Sequence, residues 1–352
     1  MIPGFTYDIN PGRILFGAGT LDAIADEIAR LGAKRALVLS TPFQRADAVR
    51  LAERIGPLAA GVFCEATMHT PVDVTLKALA AFEERGADCV VALGGGSTIG
   101  LGKAIALRND APQIVIATTY AGSEVTPILG QTENGIKTTV RDPKILPEVV
   151  IYDPTLTIGL PVAMSVTSGL NAIAHAVESV YARDRNPISS MMAVEGVRAL
   201  RDALQVIVKR PDDLPARTEA LYGSWLCGSV LGTVGMALHH KLCHTLGGSF
   251  DQPHAETHAI GLPHSAAYNA SAAAEGLQPL SELFGGSIGA GLHDFARSLG
   301  APLALKDLGL EESQLDVAAD LAVRNPYWNP RPVEREAVRS LLQRAWEGAR
   351  PE

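Results

Sequence analysis

The sequence predicts two domains of different class, an amino-terminal α/β domain built on a parallel sheet and a carboxy-terminal all-helical one. Three observations carry this. Short apolar runs alternate with helix-length amphipathic stretches up to about residue 153, and the strand-like runs then largely vanish. The chain has 352 residues, of which 47% are hydrophobic, enough length and apolar content for two cores.

The strand-length runs are 36–39 (ALVL), 61–64 (GVFC), 89–93 (CVVAL), 114–117 (IVIA) and 149–152 (VVIY). They are continuous rather than alternating, as expected of parallel strands buried on both faces. Between them the patterns at 20–31, 46–55, 74–85 and 100–108 are helical, giving the crossovers that parallel strands need. Beyond Asp153-Pro154 three long helices are predicted, over 161–182, 187–208 and 215–244, each opened by a proline in the position a first turn tolerates. The domain boundary is therefore expected near residue 155.

Composition excludes several function classes. With 30 Lys and Arg against 38 Asp and Glu, the formal charge is -8, so neither nucleic acid nor an anionic membrane surface is an expected partner. Cys64, Cys89, Cys227 and Cys243 form no CxxC pair and mostly sit in apolar runs, which suits reduced thiols and a cytoplasmic protein. The start of the chain lacks a basic region followed by an apolar stretch, and no segment reaches a membrane span.

Chemistry concentrates in two places. The first is Gly94 to Ala104 (GGGSTIGLGKA), directly after the 89–93 strand. A phosphate needs converging backbone N–H groups, glycines for close approach and a helix amino terminus, with Ser97 placed to cap it. A glycine-rich strand-to-helix turn meets these needs but also serves as a plain tight turn; the flanking strand and helix favour a dinucleotide diphosphate. The segment 117–127 (ATTYAGSEVTP) follows the next strand and adds hydroxyls at Thr118, Thr119, Ser123 and Thr126.

The second is a histidine cluster. Six of the nine histidines, His239, His240, His244, His254, His258 and His264, lie in one short stretch. His240 and His244 are one helical turn apart, as are Asn171 and His175 upstream, and ligands projected from two helices are how helical domains build reactive or metal sites. Single histidines are commonly core or capping residues; a cluster of this density points to a site.

With GLNAIAHAVE (169–178), HKLCHTLGGSFDQPHAETH (240–258) and the two loops above, nearly the whole chain resembles the iron-containing alcohol dehydrogenases. The resemblance implies a dehydroquinate synthase-like fold, with a Rossmann-like NAD(P)-binding domain over 1–155 and a helical substrate and catalytic domain over 156–352. It implies Gly95, Gly96, Ser97 and Thr98 on the cofactor diphosphate, Thr118 and Thr119 near the ribose and nicotinamide, and Lys137 near the ribose. The family's metal ligands, an Asp and three His, fall on Asn171, His175, His240 and His254, and a further family histidine near the nicotinamide falls on His244. Asn171 replaces a charged oxygen by a neutral one, so a divalent metal is not expected.

The details of the motifs, including NPYWNPRP (325–332), resemble a branch that uses NADH or NADPH to reduce the carbon–carbon double bond of a small dianionic keto acid in bacterial breakdown of aromatic compounds. Such a reaction builds enolate charge that hydrogen-bond donors must stabilise. On this reading His244 and His254 are the donors, His175 and His240 line the pocket, and Lys241, Arg324 and Arg331 are candidate partners of the carboxylates. The loop Ser40-Thr41-Pro42 has no acidic residue to exclude a 2′-phosphate and Arg45 follows it, so both cofactors are expected to serve. A homodimer is implied. The alternative is a metal-dependent alcohol or aldehyde dehydrogenase in which Asn171 still ligates; a cyclising synthase on the same fold would need more cations near the histidines, and a nucleotide sensor would leave the histidines without a purpose.

Overall fold

A computed structural model of the chain describes residues 5, 7, 10, 12–133 and 136–352. It divides at Leu160/Pro161, five residues beyond the expected boundary, because the short helical turn after Asp153 still belongs to the first unit. Phe5 and Tyr7 group with the second unit.

The first unit runs β1 (Arg13–Phe16), α1 (Ile24–Arg30), β2 (Ala36–Leu39), α2 (Arg45–Ile55), β3 (Ala59–Phe63), α3 (Val72–Glu84), β4 (Cys89–Gly94), α4 (Gly96–Asn109), β5 (Gln113–Ala117), β6 (Ile128–Glu133), β7 (Ile136–Arg141) and β8 (Val149–Tyr152). Six strands form one parallel sheet in the order β1-β8-β5-β4-β2-β3. Both faces are buried: Ala36, Val38, Cys89 and Val91 join one apolar cluster, while Leu37, Leu39 and Val90 join another. The period-two alternation therefore divides each strand between two cores, which is why the strands read as continuous apolar runs. From β2 the chain moves outward to β3 and then returns to β4 on the other side of β2. The crevice beyond the ends of β2 and β4 is thus the switch point at which such sheets take ligands.

Two features escaped the sequence reading. β1 is a short, partly exposed edge strand, and β6–β7 is an antiparallel hairpin of mostly polar residues that lacks the apolar signature. Asn134-Gly135, a strong turn signal between them, lies outside the described residues.

The second unit contains α5 (Val162–Ser179), α6 (Pro187–Ile207), α7 (Leu214–Thr233), α8 (Leu238–Phe250), α9 (His254–Asn269), α10 (Ala274–Leu283), α11 (Ile288–Ser298), α12 (Leu315–Val323) and α13 (Arg335–Glu347). Every residue of α5 from Ser165 to Ser179 is buried, so this helix is the axis against which α6, α7 and α9 pack. Asn186 caps α6 through its side-chain oxygen, with Pro187 in the first turn as expected. The helix expected over 215–244 is instead two, α7 and α8, bent by 94°. Gly235 stands in the break, its N–H donating to Asp184 (3.0 Å), and the amides of Ala237 and His239 donate to Glu178 (2.7 Å each). Side chains on neighbouring segments thus satisfy the helix start that the break exposes. Among the described residues no single helix is long and apolar enough to cross a membrane. All four cysteines are buried and unbridged.

α6 and α7 approach through glycines. A Cβ built on Gly223 would lie 2.8 Å from the Gly196 carbonyl oxygen and 3.0 Å from the Leu200 amide, so backbone would have to shift. Gly223→Ala is expected to cost about 1–3 kcal/mol, read as a lower denaturant midpoint at unchanged slope.

Candidate active site

In the first unit the glycine loop and the 117–127 segment are packed together. Gly94 has φ 154, and a Cβ there would sit 2.5 Å from the Thr98 hydroxyl oxygen; one on Gly95 would meet Thr119 Cγ2 at 2.7 Å. Gly94 takes a positive φ that favours glycine and packs on Thr98, and Gly95 lets the two loops approach closely. Gly96 is different: it is exposed, a Cβ would meet nothing within 4 Å, and it opens α4. Its amide and that of Ser97 head a 14-residue helix with open space in front, the arrangement a diphosphate requires. The residues present therefore fit a dinucleotide.

Ser97 does not cap. Gly95 occupies the cap position without a side-chain bond, and Ser97 already lies in the first turn. Thr98 is fully buried against Gly94 and its amide donates to the Gly95 carbonyl (3.0 Å), so it shapes the loop from behind. Thr118 is buried and accepts from Gln44 Nε2 (3.1 Å), which joins the loop after β2 to the loop after β5; Thr119 is half-buried. Lys137, half-buried on β7, has its Nζ 3.4 Å from His69 Nδ1. Arg45 is exposed at the start of α2, just after the loop that lacks an acidic residue.

Sequence reasoning missed Lys103. Its ammonium is buried and donates to the carbonyls of Ser123, Thr126 (2.8 Å) and Ile128 (3.0 Å) and to the Thr126 hydroxyl (3.0 Å). It gathers the 123–128 turn from beneath, with the buried Glu124 as counter-charge and Tyr152 donating to that carboxyl (2.8 Å). Burial pushes the lysine down to about 7, against the pull of Glu124. The hydroxyl of Thr126, expected to face a ligand, is taken by this lysine.

In the second unit the histidines do assemble. α5 presents Asn171, His175 and Glu178 at the i, i+4, i+7 spacing of one helical face, all buried. Glu178 accepts from the Ala237 and His239 amides and faces His240 Nδ1 at 2.7 Å. With both carboxyl oxygens already accepting, His240 carries its proton on Nδ1, and its Nε2 lone pair faces His175 Nδ1 at 2.9 Å. The proton of His175 is then on Nδ1, which leaves its Nε2 as an acceptor. Behind this pair His239 Nε2 meets His258 Nδ1 at 2.9 Å, and His258 stacks near His254 with ring centroids 4.4 Å apart. His264 is buried deeper on α9, without contact to this group among the described ring pairs.

His244 and His254, the expected donors, are the half-buried members, whereas His175 and His240 are buried beneath. His244 Nδ1 lies 3.0 Å from the Tyr327 hydroxyl, a partner the sequence reading did not propose. Burial, reinforced by Glu178, pushes that phenol up, so it stays protonated as the loop 325–332 arches over α8. Lys241 places its Nζ 5.8 Å from the Tyr327 ring, and burial lowers its pKa. Arg331, one of the three candidate carboxylate partners, has its guanidinium 4.1 Å over the Tyr268 ring and donates to the Tyr268 carbonyl (3.1 Å). Arg324 is exposed.

The family's metal ligand set does not fit a tightly held divalent ion in this chain. Asn171 brings a neutral amide oxygen where the family has a carboxylate, which removes the negative, hard ligand of the set.

Burial pushes His239 and His240 down to about 3 and His258 well below its usual value. An unfolded histidine takes up its proton near 6.5, so between that pH and about 3 the unfolded state binds more protons and stability falls as pH falls. The loss is expected to approach about 1.4 kcal/mol per histidine per pH unit, seen as a steep decline in Tm below pH 6 that His258→Gln makes shallower.

Two family models cover most of the chain: iron-containing alcohol dehydrogenase over residues 11–154 and the carboxy-terminal part of the Fe-containing alcohol dehydrogenase family over 165–346. The chain belongs to the iron-containing alcohol dehydrogenase family. Within it, the chain is 66% identical over 348 residues to the maleylacetate reductase of Rhizobium sp. (strain MTP-10005), covering 99% of each. It is 54% identical to that of Burkholderia cepacia, again with 99% of each chain covered. The crystal structure of maleylacetate reductase from Agrobacterium tumefaciens superposes with a TM-score of 0.96 at 66% identity, over 99% of this chain and 100% of that one.

Proposed function

We propose that the protein reduces the carbon–carbon double bond of maleylacetate with NADH or NADPH, giving 3-oxoadipate, as a cytoplasmic homodimer and without a metal at the family's ligand positions. The observation that carries this reading is the end-to-end similarity to proteins named maleylacetate reductase, whose expected histidine set is assembled here around a neutral Asn171. The bound dihydronicotinamide supplies a hydride, and the chain supplies everything else. The helix amino terminus at Gly96 and Ser97 holds the diphosphate, and Thr119 and Lys137 lie toward the ribose side.

The substrate is a dianion whose alkene is conjugated to a ketone. Hydride arriving at the carbon β to the ketone leaves an enolate oxygen, and a proton must then reach the neighbouring carbon. His244 and His254, half-buried imidazoles, stabilise the oxyanion by hydrogen bonds, and one of them passes a proton drawn from solvent to that carbon. Glu178 and His240 fix the tautomer of the floor beneath them. Lys241, held near Tyr327 on the same helix as His244, is the cation best placed for a carboxylate.

Purified enzyme should oxidise NADH rapidly with freshly generated maleylacetate and form 3-oxoadipate; failure to do so under any metal supplement removes the reading. NADPH should also serve, because the loop after β2 has no carboxylate to reject a 2′-phosphate and Arg45 stands nearby. The ratio of kcat/KM for the two cofactors is expected within roughly a thousandfold, about 4 kcal/mol, and a larger ratio contradicts the reading of this loop.

A further inference from the structure

Beneath the reactive face lies a second group of donors that the proposed reaction does not use. Among the described residues, His239 and Cys243 on α8 and His258 on α9 each bring one donor atom to within 4.8 Å of the others, and all three are buried. His239 Nε2 is 2.9 Å from His258 Nδ1 and 3.7 Å from Cys243 Sγ. A tetrahedral zinc ion with two imidazoles and a thiolate separates its nitrogens by about 3.3 Å and each nitrogen from sulfur by about 3.6 Å. The His239–His258 and His239–Cys243 spacings lie within about half an ångström of that geometry.

His258 is fully buried, and with Nδ1 on the ion its proton moves to Nε2. The charge suits a cation: a divalent ion with one thiolate and two neutral imidazoles carries a net single positive charge, and the Glu178 carboxyl lies against the His239 amide at 2.7 Å.

We infer that His239, Cys243 and His258 form a binding site for a soft, thiophilic divalent cation of the zinc class, separate from the family's ligand set at Asn171, His175, His240 and His254. On binding, Cys243 loses its thiol proton to solvent and the proton shared by His239 and His258 moves to His258 Nε2, so that three lone pairs face the ion. The ion clamps α8 to α9 and is not asked to touch substrate.

Cobalt(II) is the probe, since a thiolate ligand gives it an intense near-ultraviolet charge-transfer band that oxygen and nitrogen ligands do not. Chelator-treated enzyme titrated with Co²⁺ should develop this band to saturation at a single equivalent per chain, Zn²⁺ should displace it, and Tm should rise with metal concentration. Cys243→Ser, nearly isosteric, should abolish the band, while His254→Ala should keep it. Absence of the band in the unaltered enzyme overturns the inference by itself, whether or not the variants fold. So does a band that survives in Cys243→Ser, which would place the thiolate elsewhere, or cobalt spectra with no thiolate character, which would place the ion among the family's positions. None of these outcomes depends on the enzyme's turning over maleylacetate.

Discussion

His254→Ala and His244→Ala should each lower kcat for maleylacetate reduction by about 10²–10⁴-fold, the range over which a positioned proton donor acts. These are the two histidines of the cluster that are half-buried, and on the proposed reading they, rather than a metal, meet the enolate formed by hydride addition. The KM for NADH should change little, because the glycine loop and not the helical unit carries the diphosphate-binding features. The two losses are not expected to add, since residues that act on one developing charge work as a unit. A fall of less than about tenfold in both variants would remove the imidazoles from the chemical step and leave Tyr327 and Lys241 as the groups to examine.

Glu178→Ala should be the most damaging single substitution in the helical unit. It strips the acceptor from the Ala237 and His239 amides and from His240 Nδ1 at once, all of them buried. At about 1–3 kcal/mol for each stranded donor, the loss is a large share of ordinary domain stability. The start of α8 after the 94° break rests on those same amides, so helix and site should loosen together. Glu178→Gln should also be damaging. The Ala237 amide and His240 Nδ1 share one carboxyl oxygen and the His239 amide takes the other, so a glutamine, with a single oxygen, must set its NH₂ against a backbone N–H in either orientation. The expected signature is a lowered Tm in the glutamine variant as well; an unchanged Tm with full kcat would show that the second carboxyl oxygen is dispensable.

Much of this was legible in the residues because the physics is local. Parallel strands covered on both faces must be apolar throughout, so β2, β4, β5 and β8 stood out as runs. β1 and the β6–β7 hairpin, only partly covered, carried no such pattern. The α7–α8 break was hidden because Gly235 alone is a weak stop signal, and what holds the turn is a pair of carboxylates from Asp184 and Glu178, which no local pattern reveals. Histidine spacing exposed the cluster, but its order of depth, with His175 and His240 below His244 and His254, depends on how α5, α8 and α9 pack. Glu178 was readable in principle, since Asn171, His175 and Glu178 share one helical face. The setting of Arg331 was not: the Tyr268 ring under its guanidinium comes from a distant segment that no local pattern pairs with it.

The central claim is that imidazoles, not a metal ion, meet the charge that develops on reduction. Its most direct test is the loss of NADH absorbance with freshly generated maleylacetate, catalysed by enzyme exhaustively treated with chelator, with metal content measured on the same sample. The expected result is an undiminished rate at a metal content far below one ion per chain. No oxidation until Fe²⁺ or Zn²⁺ is restored would contradict it and return Asn171 to the role of a working ligand.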